Sequence, residues 1–465
     1  MQIYKMHVRA SSRVQALDCA APAGPSDFAA GLIRLSLSLM GKLTMNTSSS
    51  HTMSSPAGAA PVPPTWLFVL LAAGVLVWPL VEAAKNILCL LLVLGSSWRY
   101  GRYWHLRSWG AQQWLIVVTL VVLGLASFLY PPAARGEWLD YFRYFAVFWV
   151  VLTLPWTERQ IRILWLVLGA SLVVGLADAV WQYFYLGQRR FFPELHAVGH
   201  VHPSSMYIGT AAVALATASF VLSGKQRWFL MTGALACWFS LLFGEGRGNF
   251  VGGLAAILVC MVLGYHHYRR QVAVALLLLV ATIALAVASN ARIVQKKASL
   301  EARGDFFNGR ITIWKDAYAI WRSAPLLGVG PGEMGKVSAS RLSTMRQAVG
   351  LPETEAERGR QRAKEAHNLY LTRLASHGIV GFALLLAWLG VWAAELWKWR
   401  PRTGTSLYQR ALWSGSAGAF TITVVIGTVN PTLHHGHALL AMLLYALWLN
   451  QKDSQAAGDA AALPS

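Results

Sequence analysis

One polar segment of this hydrophobic chain combines a histidine with an arginine. The histidine is His367, in the sequence HNLYL at 367–371, and the arginine is Arg310, in GRITIW at 309–314. An imidazole accepts a proton close to neutral pH, so His367 is a candidate general base. A guanidinium stays charged and can bind two phosphate oxygens at once, so Arg310 is a candidate anion ligand. A structural histidine and a solvated arginine at a helix start are the alternatives.

A second arginine, Arg247, lies in the glycine-rich sequence GEGRGN at 244–249. Glycines let a backbone and a guanidinium approach a ligand closely, and the free N–H groups at the start of the next helix favour phosphate. Together, Arg247 and Arg310 are suited to a diphosphate. The same residues also fit a tight turn between helices, with the arginine extending to the membrane surface.

Further polar residues are candidate cavity or substrate contacts. Asp140 and Arg143 are three residues apart, a spacing that also allows a simple pair across one helical turn. Asp178 lies inside an apolar run, where a charge is costly and therefore marks a functional candidate. For these sites, architecture and cavity lining stay open as alternatives. The other candidates are Arg189, Arg190, His200, His202, Asn368 and Tyr370.

Metal and nucleotide chemistry are not expected. The histidines at 434, 435 and 437 resemble metal ligands by type, but no carboxylate or cysteine spacing accompanies them. The sequence GPGEMGK at 330–336 imitates a phosphate loop, yet Val337 stands where a Mg²⁺-binding Ser or Thr is required. Asp-x-Asp does not occur in the chain. We therefore predict no metal and no cofactor.

The composition predicts the elements that hold these residues. Hydrophobic residues make up 55% of the chain and charged residues 13%, and the repeated apolar runs are long enough to cross a bilayer. The sequence therefore predicts an all-α polytopic membrane protein with about twelve transmembrane helices. The predicted spans are 66–81, 86–98, 112–130, 138–155, 161–183, 204–223, 227–243, 249–265, 271–289, 379–398, 408–428 and 434–450. The second is short, and a re-entrant segment there would reverse the orientation of all later spans.

Basic residues in the connections predict the orientation. With the N-terminus in the cytoplasm, thirteen Lys and Arg fall in short inner connections and five in short outer ones. The thirteen are Arg99, Arg102, Arg107, Arg159, Arg162, Lys225, Arg227, Arg269, Arg270, Lys398, Arg400, Arg402 and Arg410, and the five are Lys85, Arg135, Arg189, Arg190 and Arg247. This asymmetry favours both termini in the cytoplasm and a large loop between spans 9 and 10 outside.

The spans divide the chain into five predicted regions: a disordered N-terminal tail at 1–64, spans 1–9 within 65–289, an outer catalytic loop at 290–378, spans 10–12 within 379–450, and a cytoplasmic tail at 451–465. Within the loop, the spacing of Ile311, Trp314, Tyr318 and Trp321 predicts a helix with an aromatic stripe that can face lipid. Pro325 should end that helix. The charged run from Glu353 to Glu365 is typical of a solvated helix face.

Charge and cysteine content exclude other classes. The net charge of +20 is dispersed over the loops, so orientation and anionic lipid account for it better than nucleic acid does. Residues 290–378 nevertheless hold fifteen Lys and Arg against eight Asp and Glu, which favours an acidic ligand. The four cysteines, Cys19, Cys89, Cys237 and Cys260, show no disulfide or metal pattern, and we expect the three in spans to be small core residues.

These motifs resemble the O-antigen ligase family. The resemblance rests on Arg247 after span seven, on the Arg-x-x-x-Trp helix followed by PLLGVGPG at 325–332, and on HNLYL before a glycine-rich entry to span ten. It covers roughly residues 66–450 and is concentrated between Arg247 and Gly381. The family includes WaaL-type lipopolysaccharide O-antigen ligases, Wzy-type polymerases and protein O-oligosaccharyltransferases.

The resemblance implies a GT-C-type glycosyltransferase of the bacterial inner membrane, with its active site facing the periplasm. Such an enzyme takes O-antigen from undecaprenyl diphosphate and joins it to the lipid A core oligosaccharide, without metal or nucleotide. By this resemblance, Arg247 and Arg310 bind the diphosphate and His367 deprotonates the acceptor hydroxyl. A polymerase or a protein glycosyltransferase is the alternative. A secondary transporter is a remote one, because it should show paired broken helices and charges at the bilayer midplane.

Overall fold

The computed structural model of the chain describes residues 64–101, 110–130, 133–187, 192–244, 247–265, 310–351, 363 and 365–461, with six isolated positions between 270 and 284. Most of the predicted ninth span, residues 290–309, the charged run between 352 and 362, and the tail at 1–63 lie outside the described residues.

Within these limits the chain is helical almost throughout. Thirteen α-helices are present in the described part: α1 (Thr65–Val77), α2 (Glu82–Tyr100), α3 (Ala111–Ser127), α4 (Ala133–Thr153), α5 (Glu158–Val180), α6 (Val201–Ser219), α7 (Gly224–Phe243), α8 (Arg247–Val259), α9 (Arg310–Ser323), α10 (Ala339–Ala348), α11 (Leu369–Lys398), α12 (Leu407–Gly427) and α13 (His435–Ala461). Short π-helical turns extend α5 over Trp181–Tyr185 and α8 over Cys260–Gly264, and a 3₁₀ turn covers Met334–Lys336.

These helices fit an α-helical membrane protein, as the composition predicts. A helix lies on each of the eleven predicted spans that fall within the described ranges. Two helical segments, Glu158–Tyr185 and Leu369–Lys398, are long and apolar enough to cross a membrane, and three shorter ones are also apolar. Large apolar side chains such as Trp98, Leu125 and Phe128 are exposed on the surface of the bundle, where lipid is a suitable neighbour. The number of spans stays a prediction.

The centre of the bundle is formed by α6, α12 and α13. Almost every residue of α6 is buried, and small residues let its neighbours approach closely. A Cβ at Gly418 of α12 would lie 2.7 Å from the Val213 side chain of α6. The described cysteines, Cys89, Cys237 and Cys260, are unpaired and buried, which confirms their prediction as core residues.

Residues 310–351, 363, 365 and 366, here called the loop lobe, pack around a small core that also includes Ala375 of α11. Ile320 of α9, Met334 of the 3₁₀ turn and Leu342 of α10 pack together there. The Asp316 carboxylate of α9 and the Arg346 guanidinium of α10 form a buried ion pair at 3.4 Å. The helix that begins at Arg310 is therefore held by a packed unit.

The segment at 325–330 is hydrogen-bonded into a break in α11. The backbone N–H of Ile379 donates to the Pro325 carbonyl at 2.9 Å, and that of Gly330 donates to the Ser376 carbonyl at 3.0 Å. Gly378 interrupts the helix with φ 63°, and a Cβ there would lie 2.2 Å from the Leu326 carbonyl oxygen. Only glycine allows this approach. The glycine run at 328–332 predicts a tight turn. The structure shows that residues 325–330, which overlap this run, are hydrogen-bonded to α11.

Helix α9 differs from its prediction in one respect. It ends at Ser323, before Pro325, as expected, and Ile311 and Tyr318 are exposed. Trp314, however, packs against the loop-lobe core and donates its Nε1–H to the Ala366 carbonyl at 3.0 Å. The prediction that Trp314 joins a lipid-facing stripe is wrong. Its indole N–H lies beside the packed core of the loop lobe and takes a polar partner in that lobe.

Candidate functional site

The turn between α12 and α13, residues 428–433, connects several helix starts, and we call it the hub turn. Helix α12 ends at Gly427, and Pro431 prevents a helix from continuing through Asn430. The Asn368 side chain donates to the Thr428 carbonyl at 2.8 Å. The Asn430 side chain donates to Oδ1 of Asn249 at 3.4 Å. The starts of α8 and α11 are thus attached to the same six-residue turn.

His367 lies directly before α11, in a constrained backbone. Asn368 is the N-cap, and its Oδ1 accepts from the Leu371 backbone N–H at 3.0 Å, which satisfies a donor that a helix start leaves unpaired. His367 itself has φ 46°, an uncommon conformation for a residue other than glycine, and one that is often found at functional sites. Tyr370, the second residue of α11, donates its hydroxyl to the Val424 carbonyl at 3.1 Å. These bonds fix the point from which the imidazole projects.

A second histidine, His202, lies beside the first. The ring centroids of His202 and His367 are 6.5 Å apart, with planes at 66°. The main-chain carbonyl of His202, in the first turn of α6, accepts from Nδ2 of Asn249 at 3.1 Å. Two residues earlier, His200 is exposed and precedes α6. Asparagines therefore connect both imidazole-bearing segments to the hub turn, Asn368 for His367 and Asn249 for His202.

Arg247 is the first residue of α8, and its side chain lies outside the described residues. Its backbone stands two positions before the buried Asn249. Between them, a Cβ at Gly248 would lie 2.9 Å from the Val429 side chain. Glycine is needed there for α8 to begin against the hub turn. The backbone of Arg247 therefore starts a helix beside the hub turn and the His202 carbonyl.

Arg310 is the first residue of α9 and is half-buried. Burial lowers the pKa of its guanidinium, which nevertheless remains a cation at neutral pH because arginine starts so high. One turn further, Trp314 is bonded to the Ala366 carbonyl at 3.0 Å. Because Ala366 precedes His367, this bond joins α9 to the segment that carries His367.

Two further candidates have partners on their own helices. Arg143 pairs with Asp140 at 3.0 Å and also donates to the Asn86 side chain. Both carboxylate oxygens of Asp178 accept from the Gln182 amide at 2.8 Å. These contacts match the architectural alternative better than a cavity lining. Arg189 and Arg190 lie outside the described residues.

The sequence reading missed the asparagines that hold the site together. Asn249 and Asn430 are each 1% exposed. Both stand at the ends of apolar runs, where a buried amide needs hydrogen-bond partners. A polar residue at a span end beside glycine or proline is the signal that was available. It did not identify which partner each amide would reach.

The fold and this cluster define a class: a helical bundle of membrane-protein character in which two imidazole-bearing segments and the start of α8 meet at one turn, while α9 bonds to the residue before His367. The Wzy_C family, described as O-Antigen ligase, matches the chain over residues 232–386. This match confirms the resemblance drawn from the motifs and supports membership of the chain in the O-antigen ligase superfamily. The matched range contains Arg247, Arg310 and His367 and covers about a third of the chain. A comparison with curated proteins gave no match.

Proposed function

We propose that this protein is an O-antigen ligase, which transfers O-antigen polysaccharide from undecaprenyl diphosphate to the lipid A core oligosaccharide in lipopolysaccharide synthesis. One observation carries the proposal. Helices that begin at Arg247 and Arg310, and the start of α11 beside His367, approach one another through the hub turn and Ala366, inside the range that the family model matches.

In this proposal Arg247 and Arg310 bind the diphosphate of the donor. Each begins a helix, and a helix start offers free backbone N–H groups and a partial positive charge to an anion. Diphosphate is already a good leaving group. Catalysis therefore depends mainly on positive charge that is preorganised where the negative charge develops as the diphosphate departs.

His367 is the general base of the proposed reaction. Its imidazole takes the proton of a core-sugar hydroxyl while that oxygen attacks the anomeric carbon. The bond from the anomeric carbon to the diphosphate oxygen breaks as the new glycosidic bond forms, so the configuration inverts. Neighbouring guanidinium groups disfavour a protonated imidazole, which keeps the base neutral before transfer. Neither metal nor nucleotide takes part in this proposal.

The proposed setting is the bacterial inner membrane, with a GT-C-type bundle and the loop at 290–378 on the periplasmic side. The excess of basic residues in that loop supports it, because positive-inside bias does not account for basic charge on the outer face. The donor and the acceptor are both amphiphiles, so a site at helix ends beside the bilayer surface suits them.

The acceptor decides between this function and its relatives. Purified protein in proteoliposomes is given undecaprenyl-diphosphate-linked polysaccharide together with either lipid A core or a second lipid-linked glycan. We expect capped lipid A core, detected by gel mobility and mass spectrometry. A lengthened lipid-linked glycan without capped core would instead indicate a Wzy-type polymerase. Transfer only to a Ser or Thr of an added pilin-type protein would indicate a protein O-oligosaccharyltransferase.

A further inference from the structure

A crevice that neither His202 nor His367 lines runs between α3, α4 and α11. Its walls are mostly apolar and aromatic, with Phe145 of α4 and Leu384, Leu385 and Trp388 of α11 among them, and it is a shallow crevice that opens to the outside of the bundle. Exposed apolar residues flank it, such as Leu386 on α11. An open crevice with apolar walls and apolar surroundings is suited to a hydrocarbon chain.

One end of the crevice is polar. His377 lines it and is 3% exposed, yet neither ring nitrogen has a hydrogen-bond partner among the described residues. Arg373 lines it one turn earlier on α11 and lies over the Tyr141 ring at 4.3 Å. Its guanidinium is 3.6 Å from a carboxylate oxygen of Glu137. A guanidinium has five N–H donors, so this single long contact leaves hydrogen-bonding capacity for a ligand.

The depth of these groups matches a lipid headgroup. Trp397 and Lys398 end α11 on the far side with an interfacial pattern of Trp and basic residues. From the break at Gly378 to Trp397, α11 advances nineteen residues, which at 1.5 Å each is about 28 Å, close to the thickness of a bilayer hydrocarbon core. Arg373 and His377 thus lie near the opposite interface, and Trp388 lies about halfway down. A lipid in one leaflet would place its head and chain at these two levels.

We propose that this crevice binds a phospholipid of the surrounding bilayer, with its phosphodiester at Arg373 and His377 and one acyl chain along Leu384, Leu385 and Trp388. Charge favours this occupant. Glu137 compensates part of the Arg373 charge, which suits a headgroup phosphate with one negative charge and disfavours a diphosphate. The site is distinct from the proposed donor site because neither Arg310 nor His367 lines the crevice, and His377 lies eight residues, about 12 Å, beyond the first residue of α11.

The hub turn also reaches this crevice. Leu433, its last residue, has φ 56° and lines the crevice wall, whereas Asn430 of the same turn binds Asn249 beside the histidines. A positive φ is costly for leucine. A lipid that covers Leu433 would therefore contact the turn that holds the candidate site.

Native mass spectrometry of the full-length protein in neutral detergent tests the proposal. The probes are phosphatidylglycerol, diacylglycerol with the same chains, undecaprenyl phosphate and inorganic phosphate. We expect one phosphatidylglycerol to be retained with an affinity at least about tenfold above that of diacylglycerol, since a charge-assisted contact is worth that much. Saturation by undecaprenyl phosphate without competition from phosphatidylglycerol would overturn the phospholipid assignment. If inorganic phosphate alone displaced the bound phosphatidylglycerol as well as a lipid probe does, the assignment would also be overturned.

Variants locate the bound lipid. The double variant Glu137→Gln with Arg373→Gln removes both charges together, so no buried charge is left unpaired, and His377→Phe keeps a ring of similar size without nitrogens. Both should lose the preference for phosphatidylglycerol over diacylglycerol, whereas Arg400→Gln at the far end of α11 should retain it. Leu384→Trp should block the chain, and Leu386→Trp on the exposed side should not. Unchanged retention in the double variant, His377→Phe and Leu384→Trp, each with a wild-type size-exclusion profile, would refute the site.

Discussion

The two ends of α12 use polar residues differently. At its first turn, the buried Arg410 bonds to main-chain carbonyls. Beyond its last turn, in the hub turn, asparagines bond to the main chain and histidines lie beside them. Arg410 is 2% exposed and donates to the carbonyls of Arg402 at 2.6 Å and Thr405 at 3.0 Å. It also donates to the Gly264 carbonyl, where the π turn after α8 ends. A cation used in this way fixes where chain segments end.

Asn450 has a similar role at the same end of the bundle as Arg410. It is 2% exposed and donates to the carbonyls of Leu152 at 2.8 Å and Leu154 at 2.7 Å, where α4 ends. Both residues satisfy acceptors that a helix end leaves unpaired. The polar side chains at this end of the bundle therefore serve the architecture.

The hub turn divides these tasks between residue types. Asn249, Asn368 and Asn430 bond to main chain or to one another, while the titratable residues, His202 and His367, meet ring to ring. Amides hold segments without changing charge, so the bonds that position the two histidine-bearing segments do not themselves titrate. The comparison separates two roles of polar residues. One whose hydrogen bonds go to main-chain carbonyls has an architectural role. One whose segment is held in place by the bonds of other residues is a candidate for the functional site.

The largest expected effect is on catalysis at the hub turn. His367→Ala should reduce transfer by about 10²–10⁴-fold, the usual contribution of a general base, and leave the protein folded with donor lipid accumulating in the cell. Initial rates with purified protein and gels of cellular lipopolysaccharide measure this. His196→Ala, an exposed histidine outside the cluster, is the matched control and should behave as wild type. Normal O-antigen capping in a strain with only His367→Ala would refute the base.

The opposite pattern is expected at the first turn of α12. Arg410→Met keeps the apolar stem but leaves buried carbonyls without their donor, at a cost of about 1–3 kcal/mol for each unsatisfied group. We expect a lower thermal midpoint and a lower yield, with the rate for each folded molecule unchanged. Arg402→Met, which removes an exposed side chain but not the carbonyl that Arg410 binds, is the control. A large loss of rate in correctly folded Arg410→Met would erase the distinction between the two ends.

Arg310 separates charge from geometry. Arg310→Lys keeps the positive charge but cannot bind two phosphate oxygens in parallel, so donor affinity should fall by about tenfold. Titration of purified protein with undecaprenyl diphosphate measures the change. Arg322→Lys, at the exposed end of the same helix α9, should leave affinity unchanged. If Arg310→Lys also binds the donor as tightly as wild type, Arg310 is not a phosphate ligand.

Local patterns predict the helices well because burial in lipid depends on the apolar length of each segment. The end of α9 before Pro325 and the core placement of Cys237 follow from residue type alone. The break in α11 does not, since Gly378 is explained only by the approach of residues 325–330. In the same way, His367 and Arg310 were identified by chemistry. Their connection through Trp314, Ala366 and the hub turn depends on contacts between segments far apart in sequence.

The smallest effect should come from Asn368, which makes two bonds of different kinds. Its Oδ1 caps α11, and its Nδ2 donates to the Thr428 carbonyl. Asn368→Ala loses both, and the cap alone is worth about 1 kcal/mol. Asn368→Asp keeps an acceptor for the cap but removes the donor, so it should recover the part of the thermal midpoint that the cap supplies.

The two variants also differ in what they predict for catalysis. If the bond to the hub turn positions His367, Asn368→Asp should still show a severalfold lower turnover number than wild type with little change in KM, since misplacing a base acts on the transition state. Full recovery of turnover in Asn368→Asp would show that the cap alone matters. The hub turn would then have only an architectural role for α11, as Arg410 has at the first turn of α12. The two ends of α12 would differ only in that histidines lie at one of them.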